Sequence, residues 1–303
     1  MTEQNKKIIA YKGFNKDLKC RDFQYEVGKE YQIDGEIKCC LHGFHACESP
    51  FEVWDHYDML NSRFAEVEQS GTIDREKNST KICSSHIKIK AELKLADIIN
   101  LGVEWLKDIT SPSKIKADGA LNDNKERRKQ IGSSGYSAKI GSSGDYAQIG
   151  SSGYYAQIGS SGDYAKIGSS GCSAKIGSSG YSAQIGSSGD YAKIGSSGYS
   201  AQIGSSGCSA KIGSSGYYAK IGSSGDYAKI DSVGEDSVIM CAGNNSIAKA
   251  KVGSWITLSE WRWDETKRCN IPICVKTEFV DGKKIKPDTW YQLINGEFKE
   301  VRP

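Results

Sequence analysis

Residues 131–157 read IGSSGYSAK, IGSSGDYAQ, IGSSGYYAQ, and this nonapeptide continues through eleven units to Lys229, with isoleucine opening each unit and recurring at Ile230. A period of nine is a poor multiple of the 3.6-residue helical turn, and two glycines per unit would cost a helix about 2 kcal/mol. Alternation fits a short strand instead. Ala and Ile lie two apart and share one face, while the Ser or Tyr before Ala and the Lys or Gln after it share the other. GSSG then supplies a corner, with glycine reaching positive φ and serine hydroxyls bonding the turning backbone. One strand and one turn bury nothing alone, so the units are expected to stack into a parallel β-solenoid with an Ile/Ala interior and ladders of serine hydroxyls. Two units per coil give roughly five and a half coils, about 26 Å long at ordinary strand spacing; three units per coil is the alternative.

The outward face of this array carries a Lys/Gln column that includes Lys166, Lys193 and Lys220, and beside it a Ser/Tyr column with Tyr146, Tyr155, Tyr164, Tyr191, Tyr218 and Tyr227. Position six of the unit, which varies among Tyr, Asp and Cys, falls at the corner. Asp145, Asp163, Asp190 and Asp226 recur in only four units and at an offset unlike calcium-binding repeat rolls, so calcium is not expected. The array contains no threonine, which argues against an ice-binding ladder. A tyrosine and lysine surface suits a protein partner, with single-stranded nucleic acid or a glycan as alternatives, while the same residues also serve as a solvated exterior for a spacer. Cys172 and Cys208, 36 residues apart, read as fillers.

On either side the composition is ordinary. IIAYKGF, YEVGKEYQI, RFAEVEQSG and KICSSHIKIKAEL predict strands, and SPFEVWDHYDML and LADIINLGVEWLKDI predict helices, so residues 1–110 form a small α+β domain. Residues 111–130, ending in KERRK, read as a polar linker. The solenoid spans 131–252, regular to 229 and degenerate from 230. Residues 253–303 supply a β-rich cap in which SWITLSEWRW, IPICVKTEFV, DGKKI, TWYQLI and NGEFKEV predict strands, with Asp281-Gly282 and Asn295-Gly296 as hairpin turns. A solenoid end exposes unpaired strands, so a cap is expected physically, with Trp255, Trp261, Trp263 and Trp290 in its core.

Net charge is +3, from 40 basic and 37 acidic residues, and no segment has the basic excess of a general nucleic-acid binder. No apolar run reaches membrane-spanning length and the start of the chain carries no secretory pattern, so the expected location is the cytoplasm of the producing cell. Ten cysteines in that setting are expected as reduced thiols.

The densest group of reactive side chains is CCLHGFHAC, with Cys40, His42, His45 and Cys47 as a possible zinc set, although the spacing differs from paired zinc knuckles and strand alternation would divide the ligands. Nucleophilic chemistry at Cys40 or Cys47 would need a histidine placed by the fold.

Two resemblances add expectations. Tyr11-Lys12-Gly13, the run from Gly43-Phe44-His45 through Ser49 and Pro50 to Tyr57, and Glu66-Val67-Glu68 loosely resemble the ADP-ribosyltransferase fold. That resemblance implies that His45 or Tyr57 holds a nicotinamide cofactor and that Glu68 polarises its ribose; the first motif has neither His-Gly nor a catalytic arginine, and Glu68 follows Tyr57 closely. A wider resemblance, carried by AYKGFNKDLKCRDFQYEVGKEY, GFHACESPFEVWDHY, RFAEVEQSG, the SSGxYAK-type repeats and GSWITLSEW, is to an uncharacterised family of phage and prophage proteins. It implies action inside an infected bacterium. The resulting expectation is a non-enzymatic binding or scaffold protein whose stiff solenoid displays or spaces end domains toward a host or phage protein, with counter-defence as its purpose. An ADP-ribosyltransferase-like or NAD-handling enzyme and a virion or tail component are the alternatives.

Overall fold

A computed structural model of the chain describes residues 7–77, 79–110, 121–124, 128 and 130–303. The chain divides into two units, Met1–Trp105 and Leu106–Pro303.

In the first unit, β1 (Ile8–Phe14), β2 (Lys19–Cys20), β3 (Phe23–Gln24), β4 (Glu30–Gln32), β5 (Phe44–Cys47), β6 (Arg63–Arg75) and β7 (Lys81–Leu93) precede helix α1 (Leu95–Ile109). Strand β1 pairs with β5 on one side and β6 on the other, while β7 pairs with β4 and β5 on one edge and β6 on the other. The order β5–β1–β6–β7 therefore closes on itself. Ala10, Phe14, Phe44, Ala46, Val67, Ile82, Ile87 and Ile89 fill the interior. The helix expected over residues 49–60 is only a short 3-10 turn, Phe51–Asp55. It ends at His56, and Asp58 makes the next turn, its carboxylate accepting the backbone N–H groups of Leu60 and Asn61. YEVGKEYQI likewise contributes only three strand residues, Glu30–Gln32.

From residue 130 the chain is a parallel β-solenoid of about seven turns, with two nonapeptides per coil. Ile140 pairs with Ile158 in one sheet and Ile149 with Ile167 in the other, each step covering 18 residues. One sheet, here called open, contains Gln130–Ser133, Gln148–Ser151, Lys166–Ser169, Gln184–Ser187, Gln202–Ser205, Lys220–Ser223 and Val238–Cys241. The other, here called shielded, contains Leu121–Asn124, Lys139–Ser142, Gln157–Ser160, Lys175–Ser178, Lys193–Ser196, Lys211–Ser214, Lys229–Ser232 and Ile247–Ala250. Leu121–Asn124 lies in the stretch read as a linker and is instead the first strand of the shielded sheet. Most of the remaining linker falls outside the described residues. The Ile and Ala columns are buried between the two sheets.

The corner works differently from the sequence expectation. Positive φ is taken not by the fifth-position glycine but by the seventh residue, as at Tyr146 (57°), Tyr164 (55°), Ser182 (52°) and Tyr218 (57°). These residues are therefore turn residues rather than members of a strand column beside the lysines. The fifth-position glycine is needed for close stacking, since a Cβ on Gly189 would lie 2.1 Å from the Gly171 carbonyl oxygen one coil below. Asp145, Asp163, Asp190 and Asp226 each accept the backbone N–H of the residue 18 positions later. The expected serine ladder does not form between coils. Parallel strands about 4.8 Å apart hold stacked hydroxyls beyond hydrogen-bond reach. Ser142 and Ser151 accept N–H groups within their own corners, and the buried hydroxyls of Ser160, Ser178 and Ser196 have no partner. The coils are tied by backbone bonds such as Ser161 N–H to Ser142 C=O.

Both sheets end in antiparallel strands. Trp255–Asp264 extends the open sheet and pairs with Cys269–Phe279; Tyr291–Ile294 joins the shielded sheet and pairs with Glu297–Glu300 through the Asn295-Gly296 turn. Both residues of that turn have positive φ, as the two-residue hairpin requires. Asp281-Gly282 does not join a hairpin. The Asp281 carboxylate accepts the N–H groups of Lys283, Lys284 and Ile285, folding DGKKI into a turn rather than a strand. Trp290 is buried in the cap, Trp261 is half-buried, and Trp255 and Trp263 are exposed.

Candidate functional site

The solenoid has two outer faces built from one repeat. On the open sheet Gln148, Lys166, Gln184, Gln202 and Lys220 are exposed, and the second-position glycines leave open space where a Cβ would stand. The result is a shallow groove of about 1130 Å³ with a glycine floor and a Gln/Lys wall. On the shielded sheet Gln157 and Lys175 are 5% and 3% exposed, and Lys193 is half-buried. Leu106, Lys107 and Thr110, which belong to the second unit, lie over Gly141, where a Cβ would stand 2.6 Å from Thr110 Oγ1. The three lysines expected to share a surface are therefore divided, with Lys166 and Lys220 on the open sheet and Lys193 on the other.

The tyrosines divide by corner as well. Where the shielded strands turn into the open ones, Tyr146, Tyr164, Tyr181, Tyr199 and Tyr218 form a continuous exposed ladder. Neighbouring ring centroids are 5.0 to 5.7 Å apart, and Tyr146–Tyr164 and Tyr181–Tyr199 are stacked nearly parallel, at 9° and 7°. Coil spacing is close to the separation that stacked rings prefer, which is why the ladder forms. Arg128 caps its first ring, with the guanidinium 5.8 Å from the Tyr146 centroid. Tyr155, Tyr191 and Tyr227 stand at the opposite corner, interrupted by Cys172 and Cys208. Tyr181 and Tyr199, at position six, were missed from sequence. Sorting units by parity would have found them, because every corner from Tyr146 to Tyr218 on that side holds at least one tyrosine.

In the first unit a cavity of about 860 Å³ is lined by Lys12, Cys20, Arg21, His45, Tyr57 and Lys81, among others. Gly13 lets the Tyr57 ring lie against β1, since a Cβ there would be 2.3 Å from Tyr57 Cγ. Tyr57 Oη is then 3.0 Å from Cys20 Sγ. Lys12, only 3% exposed, donates from Nζ to the His45 carbonyl at 2.8 Å and reaches Cys20 Sγ at 3.6 Å. Burial holds its ammonium form down, and burial, with Lys12 and Lys81 nearby, takes the His45 imidazole down to about 4. Burial raises the Tyr25 and Tyr57 phenols.

His45 and Tyr57 thus line this cavity, and Glu68 does not. Alternation puts Glu68 on the face of β6 that carries Glu66, opposite Val67, and it pairs with Lys7 at 2.8 Å. Cys40, His42, His45 and Cys47 do not converge. His45 Nε2 accepts the Cys40 N–H, His42 Nε2 meets the Asp34 carbonyl, and Cys47 is buried in β5. Among the described residues the group with metal-ligand spacing is Cys39, Asp74 and Cys83, whose ligand atoms lie within 4.8 Å of one another. Asp74 is committed to the Cys39 N–H, and burial pushes the Cys83 thiol up to about 12. None of the ten cysteines is in a disulfide, and no described helix is long and apolar enough to cross a membrane.

No curated protein and no solved structure matches the chain. Residues 8–101, which make up the closed sheet and the first seven residues of α1, match the model of a domain of unknown function, DUF7666, and it is to this family that the N-terminal unit is similar.

Proposed function

We propose that the protein is a binding and display module whose solenoid presents a tyrosine ladder to a protein partner. The observation that carries this reading is the unbroken run of five exposed rings from Tyr146 to Tyr218, each in contact with the next, with two pairs stacked face to face and two meeting at a steep angle. A base slipped between two rings needs them about 6.8 Å apart, and sugars also use ring faces, whereas neighbouring rings here stand 5.0 to 5.7 Å apart and two of the four pairs cover each other's faces. What remains available are ring edges and hydroxyls on a rigid support, the chemistry enriched in protein interfaces. Asp145 and Asp163 beside the ladder further disfavour a phosphate backbone. The resemblance to phage proteins makes the partner a host or phage protein, met inside the infected cell, and counter-defence the purpose. The test is affinity capture from infected bacteria with the wild type, with all five ladder tyrosines changed to serine, and with Tyr191→Ser/Tyr227→Ser at the other corner. A single protein kept by the wild type and the corner control but lost by the ladder variant supports the reading. Retention by all three, or capture of nucleic acid or glycan instead, overturns it.

A further inference from the structure

The N-terminal cavity holds a second kind of chemistry. A lysine this deeply buried ordinarily has a carboxylate partner, because an unpaired charge away from water is costly. Among the described residues Lys12 has none within ion-pair distance; its polar neighbours are the His45 carbonyl and Cys20 Sγ, and its Nζ lies 5.7 and 5.5 Å from the Phe14 and Tyr25 ring centroids. Lys81, across the same cavity, differs, since Glu76 balances it at 3.6 Å and its contact with Cys40 is on the exposed rim. Cys20 sits between the Lys12 amine and the Tyr57 hydroxyl, on the β2–β3 turn that Arg21 closes at a φ of 54°. It is partly accessible and lines the cavity.

We propose that Cys20 is the nucleophile of a site for a small anionic electrophile, with Lys12 as the base that takes its proton and Tyr57 orienting the sulfur. As sulfur attacks carbon, the S–H proton passes to Lys12 Nζ, the new S–C bond forms, and the leaving group departs with the electron pair of the broken bond. An uncharged buried amine is suited to that role, and burial favours that form. Anion selection follows from the lining, in which Arg21, and Lys12 once it holds the thiol's proton, outweigh the carboxylate of Asp22.

Iodoacetate and iodoacetamide test this directly, because both alkylate thiols with loss of iodide and only the first is an anion. The intact protein is treated with each, and every cysteine peptide is quantified by mass spectrometry. Cys20 is expected to react about tenfold faster than the exposed Cys208 and Cys269, and to favour iodoacetate over iodoacetamide relative to those two. Lys12→Met should bring Cys20 to the rate of the exposed thiols. Tyr57→Phe, which keeps the ring against Gly13, should slow it less. If Cys20 in the wild type is no faster than Cys208 and Cys269, or shows their same preference between reagents, the proposal is wrong whatever the variants do. Faster reaction at Cys40 than at Cys20 would move the nucleophile to the rim and overturn the assignment.

Discussion

The open and shielded sheets of the solenoid are written in the same nonapeptide, yet one turns Gln184 and Gly186 to water and the other buries Gln157 and Lys175. A repeat sets the fold of the chain and the spacing of its rungs; it does not set the environment of a face. That environment comes from what lies outside the repeat, and it decides which copies of one residue are surface and which are core.

The comparison breaks first where it predicts no difference. Both corners stack backbone on backbone through the fifth-position glycine, so Gly198→Ala and Gly189→Ala should each cost about 4 kcal/mol or more, because the new Cβ would meet a carbonyl oxygen at 1.9 and 2.1 Å. Circular dichroism and denaturant melts of the two variants should agree; a tolerant corner would show that the coils can part. At position two the sheets should diverge. Gly141→Ala, under Leu106, Lys107 and Thr110, is expected to lose about 2 kcal/mol, whereas Gly150→Ala on the open sheet, where nothing lies within 4 Å, stays within about 0.5 kcal/mol of the wild type.

Asp231 sharpens the contrast through pH. It fills the second position of a shielded strand, while Met240 fills the matching place on the open sheet and is exposed. Burial takes the Asp231 carboxyl up to about 6 despite Lys249 at 3.0 Å. The folded state therefore holds a proton that the unfolded chain, with an ordinary carboxyl, gives up near pH 4. This group's contribution is full below pH 4 and is lost as pH rises to about 6, on the order of 3 kcal/mol. Denaturant melts from pH 4 to 7 should show the wild type losing stability relative to Asp231→Asn across that window, and a flat difference would contradict the buried state. Smallest is the lysine pair: Lys175→Ala should cost about 1–2 kcal/mol and Lys166→Ala less than about 0.5 kcal/mol by thermal melting.

What was legible in the sequence follows from this division. The isoleucine period gave strand, turn and stacking, since those depend on interactions every unit repeats. Strands 81–93 and helix 95–109 were equally plain, their apolar spacing surviving in isolation. Alternation could not tell that Tyr146 and Tyr164 leave the strand for a left-handed turn, because the extended and turning readings of YAQ place the same apolar Ala inside. CCLHGFHAC did mark one wall of the cavity, which it lines from Cys40 to Cys47, but proximity in it could not indicate Lys12, Cys20 and Tyr57, which come from three separate segments brought together by the closure of β1 against β5. Cys20 carried no motif at all.

The coil of two nonapeptides also governs how such a chain can change length over generations. Recombination between near-identical units that removes or adds 18 residues leaves every later strand in its own sheet. A change of nine sends each later strand to the opposite side, exchanges the corners, splits the run of tyrosines and delivers the terminal hairpins to the wrong edges. Inheritance of this array is therefore counted in pairs, and variants of it should differ by even numbers of units.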